Sequence, residues 1–124
     1  IPDTVASLKR PLIMAVTVLT SQGGDAAELK ARVVELAIMA KNSGLDGVVC
    51  SGHEVEAVKK ACGANFLCLC PGIRFAGAAS DDQARVCTPA QAVAAGADFL
   101  VMGRPIIRAQ DPAEAAHLAL SEMA

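Results

Sequence analysis

Three observations predict a parallel α/β architecture. Short apolar runs recur that are too uniformly hydrophobic for a half-exposed sheet, amphipathic helical stretches separate them, and glycine or a cap-and-proline pair marks most junctions. Strand and helix patterns alternate along the 124 residues, giving four βα units in series. Parallel strands joined by right-handed crossovers form either an open doubly wound sheet or a closed (β/α)8 barrel, of which four units are half.

The elements follow in order. Leu12 to Thr20 is a continuous apolar, β-branched run, expected of a strand covered on both faces. From Asp25 the period changes: Leu29, Val33, Leu36, Ala37 and Ala40 fall at helical spacing, with Lys30, Arg32, Glu35 and Lys41 outside, until Asn42-Ser43-Gly44 stops the helix. Gly47 to Cys50 is the second strand. Ser51 to His53 are expected to cap a helix with Val55, Val58 and Cys62 facing inward and Gly63 at its end. Phe66 to Leu69 is the third strand, and Pro71 to Val86 is a long, Gly-rich loop of the kind that serves as a functional lid or is disordered. Thr88-Pro89 opens a short helix ending at Gly96, and Asp98 to Met102 is the fourth strand. Asp111-Pro112 opens the last helix, whose Ala115, Leu118 and Ala119 are expected to pack on the sheet.

Composition narrows the function. With 53% apolar and 19% charged residues the chain can bury a substantial core as one domain, and a formal charge of −2 with 2% aromatics excludes a basic, ring-studded nucleic-acid surface. No apolar run is long enough for a membrane span, and the run after Lys9-Arg10 lacks a signal-cleavage pattern, so a cytoplasmic protein is expected. Five cysteines, at 50, 62, 68, 70 and 87, show no zinc-ligand spacing. Cys68 and Cys70 share one strand face and read as small buried hydrophobes.

The chemistry concentrates after the third and fourth strands. Pro71-Gly72-Ile73-Arg74 and Gly103-Arg104-Pro105 each follow an apolar strand. Glycine lets backbone N–H groups approach an anion, a helix start turns its positive end toward it, and arginine adds a bidentate fork. In a barrel, reacting groups lie on the loops after the strands, with phosphate favouring the last two; Asp46 and Asp98, which precede strands, sit at the opposite, structural end. His53 and His117 lack a spaced partner and read as structural or surface residues.

Five segments now stand in order: Ile-Pro-Asp-Thr-Val-Ala at 1–6, Val-Thr-Val-Leu-Thr-Ser at 16–21, Gly-Leu-Asp-Gly-Val-Val-Cys-Ser at 44–51, Pro-Gly-Ile-Arg at 71–74 and Met-Gly-Arg-Pro at 102–105. Together they resemble the bacterial orotidine 5′-phosphate decarboxylases. The resemblance implies a (β/α)8 TIM barrel, of which this chain is about the C-terminal half, and decarboxylation of orotidine 5′-monophosphate to uridine 5′-monophosphate in pyrimidine biosynthesis, without metal or organic cofactor. It also implies a homodimer. By carry-over, Gly103 and Arg104 are the main phosphate contacts, Gln83 reaches the phosphate from the lid, and Arg74 contacts substrate. Thr20 lies near the base, and Thr4 reaches the ribose of the partner subunit's substrate. Each has a plainer reading: Arg74 paired with Asp81 or Asp82, Thr20 as a cap, Gln83 as a solvent-facing loop residue.

The departures from the family pattern matter too. The family's Asp-x-Lys-x-x-Asp motif and an earlier lysine, which do the chemistry, fall upstream of Ile1. The stretch near residues 7–8 looks short by a βα segment, and a smaller shortening lies within 22–31. Joined segments of a longer chain are the expected explanation. Two alternatives stay open: another phosphate-binding barrel of the same suprafamily, a sugar-phosphate decarboxylase or aldolase, and a non-catalytic fragment.

Overall fold

The computed structural model describes residues 10–18, 25–77 and 86–124. Its elements are β1 (Met14–Val16), α1 (Ala26–Asn42), β2 (Gly47–Val49), α2 (Val55–Cys62), β3 (Leu67–Cys70), α3 (Pro89–Ala95), β4 (Phe99–Leu100), α4 (Arg104–Ile107) and α5 (Pro112–Met123). All strand pairs are parallel, and the order is β1-β2-β3-β4. That order never reverses. Crossovers of one hand running in one direction put every helix on the same side of the sheet, which is barrel winding; a doubly wound sheet needs a reversal.

Register divides the strand residues into two sets. Val16, Val49, Leu69 and Phe99 are successive partners across the sheet, as are Met14, Gly47 and Leu67, so these share one face. Ala15, Val48 and Cys68 form the alternate row, with Cys70 opposite Leu100. The alternate row faces the helices. Val48, Cys68 and Cys70 are buried there with Val33 and Ala37 of α1, Val55, Val58 and Cys62 of α2, and Ala92 of α3. Among the described residues the other face has no second layer: Val16 is 61% exposed and Phe99 43%. The expectation that the first strand is covered on both faces is therefore corrected: among the described residues β1 has one strand neighbour and helices cover one side.

Local signals set the helix ends. Asp25 accepts a hydrogen bond from the Ala27 N–H at 2.9 Å and opens α1. Thr88 and Gln91 form a reciprocal capping box at the start of α3, and Gly96, at φ 108° in the left-handed region, closes it. Asp111 caps α5 through the Glu114 N–H at 3.2 Å. Several expectations need adjustment. Among the described residues the first strand is only Met14–Val16, and the second ends at Val49 rather than Cys50. β3 begins and ends one residue later than read, at Leu67–Cys70, because Phe66 belongs to the turn that leaves α2. β4 is only Phe99–Leu100. The turn before α2 is held by Ser51, whose hydroxyl accepts from the His53 N–H and whose carbonyl accepts from the Glu54 N–H, so Glu54 occupies the cap position with no side-chain capping bond. Leu118 is 49% exposed, and Ala119 is the buried residue of α5, which packs on α3 and α4.

Candidate functional site: an anion cavity at two strand ends

β3 and β4 pair at Leu69–Phe99 and Cys70–Leu100, and the Val101 N–H extends the ladder to the Cys70 carbonyl at 2.9 Å. The two loops that leave these strands are therefore neighbours. After β3, Pro71 can donate nothing to a ladder, and Gly72 turns the chain at φ 72°, where a side chain would be strained. Ile73 then makes a parallel bridge to Cys87, and the Arg74 N–H donates to the Cys87 carbonyl at 2.9 Å. After β4, Gly103 begins the single turn of α4, accepting from the Ile106 and Ile107 N–H groups at 2.9 and 3.0 Å. Its φ is −100°, so its conformation is not left-handed, and a Cβ there would meet nothing within 4 Å. What Gly103 leaves is open space.

Arg74, Gly103 and Arg104 line one cavity of about 260 Å³, walled also by Gly72, Val101 and Pro105. Arg74 is 7% exposed, which makes it one of two buried charged residues among those described. Among the described residues, the charged groups lining the cavity are the two guanidinium groups. This arrangement can hold an anion. Its volume lies below the ~300 Å³ at which pockets for whole small molecules begin, which suits a small anionic group or the tail of a larger ligand. A larger groove of about 1080 Å³ runs between α1 and His53, but its lining is mostly alanine and valine with one lysine, so chemistry rather than size selects the site.

Three of the six residues expected in the site meet here, while Thr4, Thr20 and Gln83 lie outside the described residues. Sequence reasoning passed over Glu54, which is 1% exposed at the end of the β2 turn; a carboxylate next to an apolar helical face was its only signal. The thiols behind the cavity are buried. Hydrogen bonding to Cys68 and Cys70, together with burial, pushes the Cys50 thiol up, burial raises the Cys87 thiol, and the hydrogen bond with Cys50 lowers that of Cys68.

The orotidine 5′-phosphate decarboxylase / HUMPS family matches residues 3–119. The chain belongs to this family. An orotidine 5′-phosphate decarboxylase of Nitratidesulfovibrio vulgaris is 56% identical over 120 residues, covering 92% of this chain and 51% of the relative. One from Trichlorobacter lovleyi is 50% identical, covering 93% and 51%. Among solved structures, orotidine 5′-phosphate decarboxylase from Lactobacillus acidophilus aligns with a TM-score of 0.76 at 36% identity, over 95% of this chain and 51% of that one. The chain spans about half the length of the curated relatives it matches, and its strands are those of a decarboxylase-family TIM barrel.

Proposed function

We propose that this segment supplies the phosphate grip of an orotidine 5′-phosphate decarboxylase. The observation that carries the reading is the convergence of Arg74, Gly103 and Arg104 on one cavity at the carboxyl ends of adjacent parallel strands. Relatives at 50–56% identity that are named orotidine 5′-phosphate decarboxylase favour this activity.

The reaction removes carbon dioxide and leaves a carbanion at pyrimidine C6. Acceleration requires groups that bind the transition state better than the ground state, and preorganised charge is the strongest means available. In this reading an alternating lysine and aspartate network in the other half of the barrel does that work and protonates the carbanion. Residues 1–124 hold the far end. Phosphate binding energy fixes the ring against the reacting groups and favours closure of the site, with Gln83 reaching the phosphate and Thr20 the base. Thr4 contributes to the partner subunit's ribose site in a homodimer, and the protein works in the cytoplasm without a cofactor.

A full-length chimera tests this, with the present segment replacing the matching half of the Nitratidesulfovibrio vulgaris relative. Conversion of orotidine 5′-monophosphate is the expected result. A folded chimera that binds uridine 5′-monophosphate no better than uridine would overturn the reading.

A further inference from the structure

The inner wall of the anion cavity rests on a contact outside it. The Arg74 N–H is held by the Cys87 carbonyl at 2.9 Å, and Ile73 bridges Cys87. Cys87 is 3% exposed, and behind it stands Gly52 in the turn after β2. A Cβ at position 52 would lie 2.5 Å from the Cys87 Sγ, 3.2 Å from its Cβ and 3.7 Å from the Ala92 Cβ. Positive φ falls at Gly44, Gly63, Gly72, Gly77 and Gly96 but not at Gly52. Backbone conformation therefore does not call for glycine at 52; space does.

We propose that Gly52 is a positioning residue for the anion cavity: the absent side chain lets Cys87 seat deeply enough for its carbonyl to hold the Arg74 N–H, which fixes where Arg74 enters the site. This rests on the anion-site reading above. The severe contact is with the sulfur at 2.5 Å, whereas the Cβ contact at 3.2 Å is relieved by a shift of a few tenths of an ångström; swinging the sulfur away about χ1 would forfeit its hydrogen bond. The thiol donates to the Thr88 carbonyl at 3.6 Å, and Thr88 is committed to the capping box of α3. An added methyl at 52 thus displaces the Cys87 backbone, and the displacement passes through the bridge to Ile73 and Arg74.

The test uses Gly52→Ala, Cys87→Ala and the double variant in the full chain, read by amide hydrogen exchange and by titration with inorganic phosphate. Gly52→Ala should speed exchange of the Arg74 N–H about tenfold and weaken phosphate about tenfold, within the ordinary cost of overpacking. Cys87→Ala alone should change neither by more than about twofold, and the double variant should return both to near the parent values, because removing the sulfur makes room for the methyl. The Cys68 N–H, held by Asp98 at 2.9 Å, is the internal control. Should Gly52→Ala fail to fold, Cys87→Val overfills the same gap from the other side and should accelerate Arg74 exchange alone. Equal acceleration at Cys68 and Arg74, or a double variant no better than the single, overturns the proposal. Absence of phosphate binding by the parent chain would remove the anion-site reading instead, and the exchange comparison would still decide the role of Gly52.

Discussion

Arg104 and Arg74 are cations that pH cannot switch off, so replacement is the way to weigh them. In the chimera, Arg104→Ala is expected to raise KM for orotidine 5′-monophosphate about tenfold to a hundredfold, the range for losing charge-assisted hydrogen bonds. Orotidine, which lacks the phosphate, should be nearly indifferent to the change; equal losses on both substrates would contradict the role. Arg104→Lys should recover only part of the loss, because an ammonium cannot present a planar fork. Asp46 makes a different prediction. Its carboxyl is held below the ordinary range by the Arg10 guanidinium, at 2.8 and 2.9 Å, and by the Ile13 N–H at 2.8 Å. A carboxyl lowered by folding stabilises the fold fully above its unfolded-chain pKa and loses that contribution as pH falls through the folded value. The melting temperature of the parent should therefore fall more steeply in acid than that of Asp46→Asn, and parallel profiles would sink the assignment. At this scale the meeting of Arg74 and Arg104 in one cavity was legible, because each follows an apolar run within two residues of a glycine, a local pattern. Glu54 and Gly52 were not, since their meaning depends on what packs against them from distant parts of the chain.

The elements repeat a device at their amino-terminal ends. Asp46 and Asp98 each follow a helix-ending glycine by two residues and precede a strand, and each reaches back to a backbone N–H of the preceding strand segment, at Ile13 and Cys68. Lys59 completes the second clamp, donating to Asp98 at 2.6 Å and to the Ala64 and Phe66 carbonyls at 3.0 and 2.8 Å. Asp98→Ala should cost about 2 kcal/mol in urea unfolding, since it removes two bonds involving a charged group while leaving Lys59 its carbonyl partners. Gly47→Ala should cost more, roughly 3 kcal/mol, because a Cβ there would lie 2.2 Å from the Leu67 carbonyl oxygen, between both neighbouring strands. Helix bounds could be read closely because caps are local: Asp25, Thr88-Pro89 and Asp111-Pro112 stand where the structure uses them. Strand bounds could not. Leu12 and Ile13 are as apolar as Val48 yet stay 55% and 52% exposed, and only pairing partners distinguish them.

For the molecule as a whole, uninterrupted strand order leaves β1 and β4 without outer neighbours among the described residues, and the Val16-to-Phe99 row without a covering layer. Parallel edges with exposed apolar side chains invite association. Sedimentation velocity should show the isolated chain self-associating with concentration, and Val16→Lys together with Phe99→Lys should suppress it; a monodisperse parent at high concentration would refute this. The βα alternation was visible in hydrophobic period alone, whereas the choice of barrel over doubly wound sheet came from the segment resemblance, because strand order is a property of pairing. Arg74 and Arg104 follow consecutive strands, β3 and β4, within residues 67 to 107. Under the proposed function, recognition of a ligand's charged tail is carried by one short, continuous length of chain, separate from the part that would hold the reacting groups.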